Sequence, residues 1–221
     1  MDSGYPVTRR QANAALLALG AASVMPAAAV AQGARALPAP RKELGKPLMQ
    51  ALQLRHSTRE YSSRALSEQQ LSDLLWAAYG INRPNGDRTA PYWRHIMVID
   101  VYAAMADGVW LYDPRQHALR PYLDADIRAQ TGTQAFVAVA PLNLVYVVHG
   151  ERMKEISPED RRLYGSVDAA FAGQNVYLYC ASEGLATVFR GAVDYEHLGR
   201  AMRLADGQFV AFAQTVGYPQ A

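Results

Sequence analysis

The stretch Phe136-Val137-Ala138-Val139-Ala140-Pro141-Leu142-Asn143-Leu144-Val145-Tyr146-Val147-Val148 contains no charged residue and very few polar ones. A strand with one face in water alternates apolar and polar side chains, whereas this run is apolar on both faces. The run therefore predicts a buried strand at the centre of a β-sheet.

Helices and strands surround this central strand without strict alternation. Asp168–Glu183 is apolar nearly all round and ends at Gly184, which predicts a helix that must be covered on every side. Ser67-Glu68-Gln69-Gln70 is a capping box, and it predicts a helix that ends at Gly80. Further strands are predicted at Ile96–Tyr102, Val109–Tyr112, Leu119–Pro121 and Phe209–Val216. This mixture predicts an α+β domain.

Composition excludes several classes of protein. The 221 residues are 50% hydrophobic and 19% charged, which predicts one compact folded domain rather than a disordered chain. A formal net charge of +2 gives no field that would attract nucleic acid. The single Cys180 excludes an internal disulfide framework and a thiolate zinc site. Neither His117 nor His197 has a histidine at i+4, so we predict no metal site.

The first residues have the layout of a targeting segment. Arg9-Arg10 precedes an uncharged, Ala-rich run that ends in Ala29-Val30-Ala31, as in a signal peptide. We predict a signal peptide at 1–31, an extended linker at 32–42 and the functional domain at 43–221; an Ala-rich helix inside the fold is the alternative for 1–31. The paired arginines resemble a twin-arginine export signal, although the Phe and Lys that usually follow are absent. Export would place the protein in the periplasm, and a non-functional leader would leave it in the cytoplasm.

A compact basic turn follows the first helix of the predicted domain. Leu44, Leu48 and Leu52 share one helical face, and the helix leads into Arg55-His56-Ser57-Thr58-Arg59. Two guanidiniums, an imidazole and two hydroxyls within five residues suit a phosphate, because Arg forms bidentate charge-assisted hydrogen bonds with it. A solvated basic turn is the alternative.

Arg55-His56-Ser57-Thr58-Arg59-Glu60-Tyr61 resembles the opening motif of the nitroreductase-like flavin oxidoreductases, in which Arg, Ser and a second basic residue bind FMN. Other stretches resemble later parts of that family in the same order, from Leu44 to Pro219: Leu74–Gly80, Arg88–Pro91, Asp168–Leu178, Ala181–Thr187 and Val216–Pro219. Val101-Tyr102 and Gly108–Asp113 resemble the branch of azoline-oxidising (SagB-type) dehydrogenases. The resemblance implies a nitroreductase-like fold, with a central, mostly antiparallel sheet flanked by helices, and a homodimer with flavin sites at its interface.

The resemblance also implies which residues hold FMN. Arg55, His56, Ser57 and Arg59 would bind its phosphate, and Pro91 would lie in the loop beside the flavin ring. Tyr92-Trp93-Arg94-His95 stands where the family has Ser and Asn, so either Arg94 or His95 replaces the lost ring contact or both are surface residues. Phe189-Arg190-Gly191 aligns with the segment whose main-chain N–H hydrogen-bonds flavin N5, and a simple loop is the alternative.

The activity that the resemblance implies is two-electron ping-pong redox chemistry on a small organic substrate. Nitroaromatics, quinones and azolines are the expected substrate classes, with a separate electron donor or acceptor. The flavin carries the chemistry, so no general acid or base from the protein is required. The expected partners are a second copy of the chain and small molecules, with no nucleic acid and no membrane span in the mature chain. The alternative is a non-catalytic dimeric scaffold, with or without flavin.

Overall fold

A seven-stranded antiparallel sheet forms the centre of the fold in residues 33–220, which are those that the computed structural model describes. The strands are β1 Arg35–Ala36, β2 Ile99–Met105, β3 Gly108–Asp113, β4 Ala118–Leu123, β5 Leu142–His149, β6 Ala186–Arg190 and β7 Gln208–Gly217. Their order across the sheet is β1-β4-β3-β2-β5-β7-β6, and every adjacent pair is antiparallel. All eight residues of β5 are buried, which confirms the predicted central strand and the α+β fold.

The first part of the apolar run is a helix rather than a strand. Phe136–Val139 forms the short helix α3, and β5 begins only at Leu142. Pro141 has no N–H to donate to a strand ladder, and the side-chain amide of Asn143 donates to the carbonyl oxygen of Val137 at 2.7 Å. The prediction of one continuous strand was wrong because hydrophobic periodicity does not separate a short buried helix from a buried strand.

Four further helices flank the sheet. They are α1 Leu48–Leu54, α2 Glu68–Tyr79, α4 Pro158–Glu183 and α5 Tyr195–Ala201. The Ser67 capping box at the start of α2 is confirmed, with both reciprocal hydrogen bonds to Gln70 present. α4 begins ten residues earlier than Asp168, because Ser157 caps it and Pro158 occupies its first turn. It ends as predicted at Gly184, which is left-handed with φ of 71°.

The predicted linker at 32–42 packs on the folded domain. β1 pairs with β4, Leu37 is buried, and the guanidinium of Arg41 hydrogen-bonds the carboxylate of Asp73 at 2.8 Å. A Pro-rich composition predicts an extended backbone, but it does not reveal that a sheet edge is available to pair with it. The predicted signal peptide at 1–31 lies outside the described residues. Among residues 33–220, none of the helices is long and apolar enough to cross a lipid bilayer.

Candidate functional site

The basic turn after α1 lies against β6. The N–H of Thr58 donates to the carbonyl oxygen of Thr187 at 2.9 Å. The hydroxyl of Ser57 lies 2.7 Å from the hydroxyl of Tyr177 on α4, and the Tyr177 oxygen also accepts a hydrogen bond from the N–H of Phe189 at 2.9 Å. The structure therefore brings Ser57 and the Phe189–Gly191 segment to one place, with Tyr177 between them.

Two guanidiniums flank this turn without an acidic partner in the part of the chain that the structure describes. Arg55 is half-buried, with its guanidinium carbon 5.2 Å from the centre of the Tyr177 ring, and Arg59 is exposed. The exposed His56 donates through Nδ1 to the carbonyl oxygen of Leu54 at 2.8 Å. Unpaired arginines beside a hydroxyl are a donor set that suits a phosphate.

The Arg190 side chain turns into the protein, away from the turn. Its Nε donates to the hydroxyl of Thr215 at 3.0 Å, Nη1 to the carbonyl oxygen of Thr131 at 3.0 Å, and Nη2 to the amide oxygen of Asn143 at 3.1 Å. Burial lowers the pKa of Arg190 to about 10. The Arg190 side chain is thus engaged within the protein, whereas the predicted flavin contact of Phe189-Arg190-Gly191 is made by the main chain and stays a prediction.

Within Phe189–Gly191, the backbone is most accessible to a ligand at Gly191. Phe189 packs its ring against Phe212, with the ring centres 4.6 Å apart, and its N–H is already taken by Tyr177. Gly191 is exposed, and a Cβ atom there would have no neighbour closer than 3.5 Å, the hydroxyl of Tyr195. A flat group can therefore approach the backbone closely at Gly191.

The loop with Pro91 and His95 is exposed and conformationally unusual. Arg94 and His95 have φ of 45° and 58°, a left-handed region that non-glycine residues rarely adopt. The Nδ1 atom of His95 lies 3.6 Å from Oδ1 of Asp87. Backbone conformations of this kind concentrate at functional sites, and this one falls where the motif departs from its family.

A buried carboxylate anchors this loop to α4. Both oxygens of Asp168 accept from the N–H of Trp93, at 3.1 and 3.0 Å, and the Trp93 ring packs against Tyr164. Burial raises the pKa of Asp168 to about 6, although the Trp93 hydrogen bond acts in the opposite direction. Asp168 and Tyr177 were predicted only as parts of a helix. The acid of Asp168 in an otherwise apolar stretch is a signal that could have singled it out, whereas nothing in the sequence distinguishes Tyr177 from Tyr179.

The two halves of the predicted site do not meet within one chain. The loop contacts α4 at Asp168 and the basic turn contacts it at Tyr177, nine residues further along. At 1.5 Å and 100° per residue, these contacts lie about 13 Å apart along α4 and on opposite sides of it. Arg55, Ser57 and Phe189 therefore meet at Tyr177, with His56, Arg59 and Gly191 close to them in the chain, whereas Pro91 and His95 lie in a loop on the other side of α4.

Comparison with known proteins identifies the family of this chain. Residues 52–218 match the model of the nitroreductase family, and the chain belongs to that family. The crystal structure of a nitroreductase-like protein from Ralstonia eutropha is 42% identical, covers 89% of this chain and 94% of its own, and superposes with a TM-score of 0.83. A nitroreductase-like protein of Methanocaldococcus jannaschii is 32% identical over 148 residues, which are 62% of this chain and 75% of that protein.

A more distant structure shares the fold. The NADPH:FMN oxidoreductase from Vibrio harveyi, complexed with NAD⁺, is 18% identical, with coverage of 79% of this chain and 67% of its own and a TM-score of 0.59. The resemblance to the nitroreductase family that the motifs indicated is thus confirmed, together with the fold that it implied.

Proposed function

We propose that this protein is an FMN-dependent oxidoreductase that exchanges two electrons with a nitroaromatic, a quinone or an azoline, in a ping-pong cycle with a separate electron donor or acceptor. The observation that carries the proposal is the pair of guanidiniums of Arg55 and Arg59, which flank Ser57 and have no carboxylate partner among residues 33–220. Membership of the nitroreductase family supports it, since the family's fold includes an NADPH:FMN oxidoreductase.

The residues at the turn fit a riboflavin phosphate. Arg55 and Arg59 offer charge-assisted hydrogen bonds to a phosphate, and the Ser57 hydroxyl adds a further donor whose position Tyr177 fixes. The open backbone at Gly191 leaves room for a flat ring. When bound, FMN supplies the redox chemistry, and the chain binds it, orients it and limits the access of water.

We propose that the functional unit is a homodimer. α4 exposes an apolar stripe made of Leu163, Tyr164, Val167 and Phe171, whose spacing puts them on one side of the helix. Apolar stripes of this kind mark interaction surfaces. A second copy would cover the stripe and would supply the loop that, within a single chain, contacts the opposite side of α4 from the basic turn.

Light scattering during gel filtration tests the dimer. We expect the mass of two chains for the wild type and of one chain for Phe171→Glu, with loss of bound FMN in the monomer. Val139→Glu is the matched control, because Val139 is an equally exposed apolar residue away from α4. A wild-type monomer that retains FMN would overturn the proposal.

The absorption spectrum of the purified protein tests the activity. We expect a flavin spectrum that dithionite bleaches and that a nitroaromatic, a quinone or oxygen restores. An azoline would act in the opposite direction and bleach the oxidised flavin, because its oxidation to an azole delivers two electrons; it is tested because Gly108–Asp113 resembles the azoline-oxidising branch. Bound FMN without turnover would instead support a scaffold, an alternative that rests on Tyr92-Trp93-Arg94-His95 standing where the family has Ser and Asn. A protein that binds no FMN would refute the enzyme and leave only the flavin-free scaffold.

We further propose export by the twin-arginine route, on the sequence of residues 1–31. Because NAD(P)H is not freely available outside the cytoplasm, an exported enzyme would use another reductant or transfer electrons to oxygen or a quinone. Cell fractionation of the wild type and of Arg9→Lys/Arg10→Lys tests this. We expect the variant to stay in the cytoplasm, and equal distribution of the two proteins would contradict export.

A further inference from the structure

Arg88 is a buried cation whose hydrogen-bonding capacity is almost unused. The residue is 95% buried, and neither Nε nor Nη1 has an acceptor among the residues that the structure describes. Nη2 contacts only the sulfur of Met97, at 3.0 Å, and a thioether is a weak acceptor. Burial lowers the pKa of Arg88, as expected for a charge removed from water without a counter-ion.

The nearby carboxylates are engaged elsewhere. Asp87 accepts from the hydroxyl of Tyr92 and lies 3.5 Å from the guanidinium of Arg83. Asp113 pairs with Arg120 and accepts from backbone N–H groups of its own turn. The guanidinium carbon of Arg88 lies over the Tyr79 ring, 5.3 Å from the ring centre. A cation–π contact of this kind offsets only part of the cost of burying the charge.

A cavity of about 250 Å³ opens beside this guanidinium. Arg88 and Met97 line it from one side, the loop at 81–86 from another, and the exposed Arg115 from the β3–β4 turn. None of its lining residues is acidic. The cavity therefore carries two guanidiniums and no compensating negative charge from its own walls.

We propose that this cavity binds a small oxyanion, a carboxylate or a phosphate, between Arg88 and Arg115. The anion would contact Nη2 of Arg88, because Nε and Nη1 are shut off from solvent, and its charge would act on the whole delocalised cation. Arg115 closes the site from the solvent side. The site is separate from the Arg55–Arg59 turn, and the proposal does not depend on FMN.

Thermal unfolding of the full chain at constant ionic strength tests this site. The Arg55→Ala/Arg59→Ala variant serves as background, so that phosphate has no access to the basic turn. In that background we expect a saturable rise of Tm with inorganic phosphate or with malonate, and the more effective of the two identifies the class of oxyanion. In Arg115→Ala we expect at least a tenfold weaker apparent affinity, and in Arg88→Met no saturable rise.

Arg88→Met also provides a measurement without ligand. Replacing an unpaired buried cation by an apolar side chain is expected to preserve or raise Tm in anion-free buffer, so the variant should fold. Arg200→Ala is the matched control, since it removes an exposed arginine elsewhere and should keep the full anion response. The proposal is overturned if neither anion gives a saturable rise, or if Arg88→Met responds as strongly as its background.

Discussion

Arg190 is the last residue of β6, and the Arg55–Arg59 turn packs against the same strand through Thr58 and Thr187. The arginines of the two regions differ in burial and in hydrogen bonding. Arg190 is buried, and its guanidinium donates to Thr215, Thr131 and Asn143. Arg55 and Arg59 lie at the surface, and neither forms an ion pair with a described carboxylate. Both regions are basic in sequence, but only the turn has donors left for a ligand.

The comparison teaches that the number of free donors, rather than charge itself, separates a binding arginine from a structural one. A buried guanidinium with a full set of acceptors holds strands together, because each lost hydrogen bond would leave a buried polar group unpaired. A surface guanidinium without a partner contributes little to stability and remains available for an anion. The predictions below test this division.

Arg190→Met is expected to have the largest effect on stability. It removes four hydrogen bonds, to Thr131, Asn143 and Thr215, and leaves the buried carbonyl oxygen of Thr131 unpaired, which should lower the free energy of unfolding by about 4 kcal/mol. Urea unfolding measures this, with Arg59→Ala as the control that should change stability by less than about 0.5 kcal/mol. Equal losses in the two variants would break the distinction between structural and binding arginines.

The Asp168→Asn variant tests the cost of a buried carboxylate. Asp168 accepts a hydrogen bond from Trp93 but has no counter-ion among residues 33–220. Because the folded-state pKa of Asp168 is raised to about 6, the folded protein holds this proton at pH values where the unfolded chain has released it. This group's contribution to stability is therefore full below about pH 4 and is lost as the pH rises through about 6.

The Asp168→Asn variant avoids this loss of stability at high pH, and its side-chain oxygen can still accept the hydrogen bond from the N–H of Trp93. We expect it to be more stable than the wild type at pH 8, by at most about 3 kcal/mol, and similar to it at pH 4. Urea unfolding at both pH values measures the difference. A difference between the two proteins that does not change with pH would contradict the raised pKa.

Tyr177→Phe should have the smallest effect of the three. It keeps the ring beneath Arg55 but removes the hydroxyl that joins Ser57 to the N–H of Phe189. We expect a loss of about 1 kcal/mol in stability and about fivefold weaker FMN binding. Fluorescence titration with FMN measures the affinity. Unchanged affinity would show that Tyr177 does not position the turn.

The sequence predicts those features of this protein that depend on local signals. The apolar run predicts the buried β5, the Ser67 capping box predicts the start of α2, and Gly184 predicts the end of α4. Each is fixed by residues within a few positions of one another. The packing of β1 at the sheet edge is not predicted, because its partner β4 lies far along the chain.

The direction of the Arg190 side chain is hidden from the sequence for the same reason. Its acceptors on Thr131, Asn143 and Thr215 lie 59, 47 and 25 residues away in the chain, so that only the folded sheet brings them together. The Arg55–Arg59 turn, in contrast, is a local motif, and its surface position follows from its composition. Local patterns thus identify a binding turn more readily than a buried polar network.

FMN titration of the apoprotein, with wild type and Arg55→Ala/Arg59→Ala compared, tests the central claim most directly. Two charge-assisted contacts to phosphate are each worth about 1.5–3 kcal/mol, so FMN affinity should fall by at least about a hundredfold while Tm stays unchanged. Arg200→Ala/Arg203→Ala, which removes the same charge elsewhere on the surface, should bind FMN as the wild type does. Equal FMN affinity in all three proteins would contradict the assignment of the basic turn as the phosphate site.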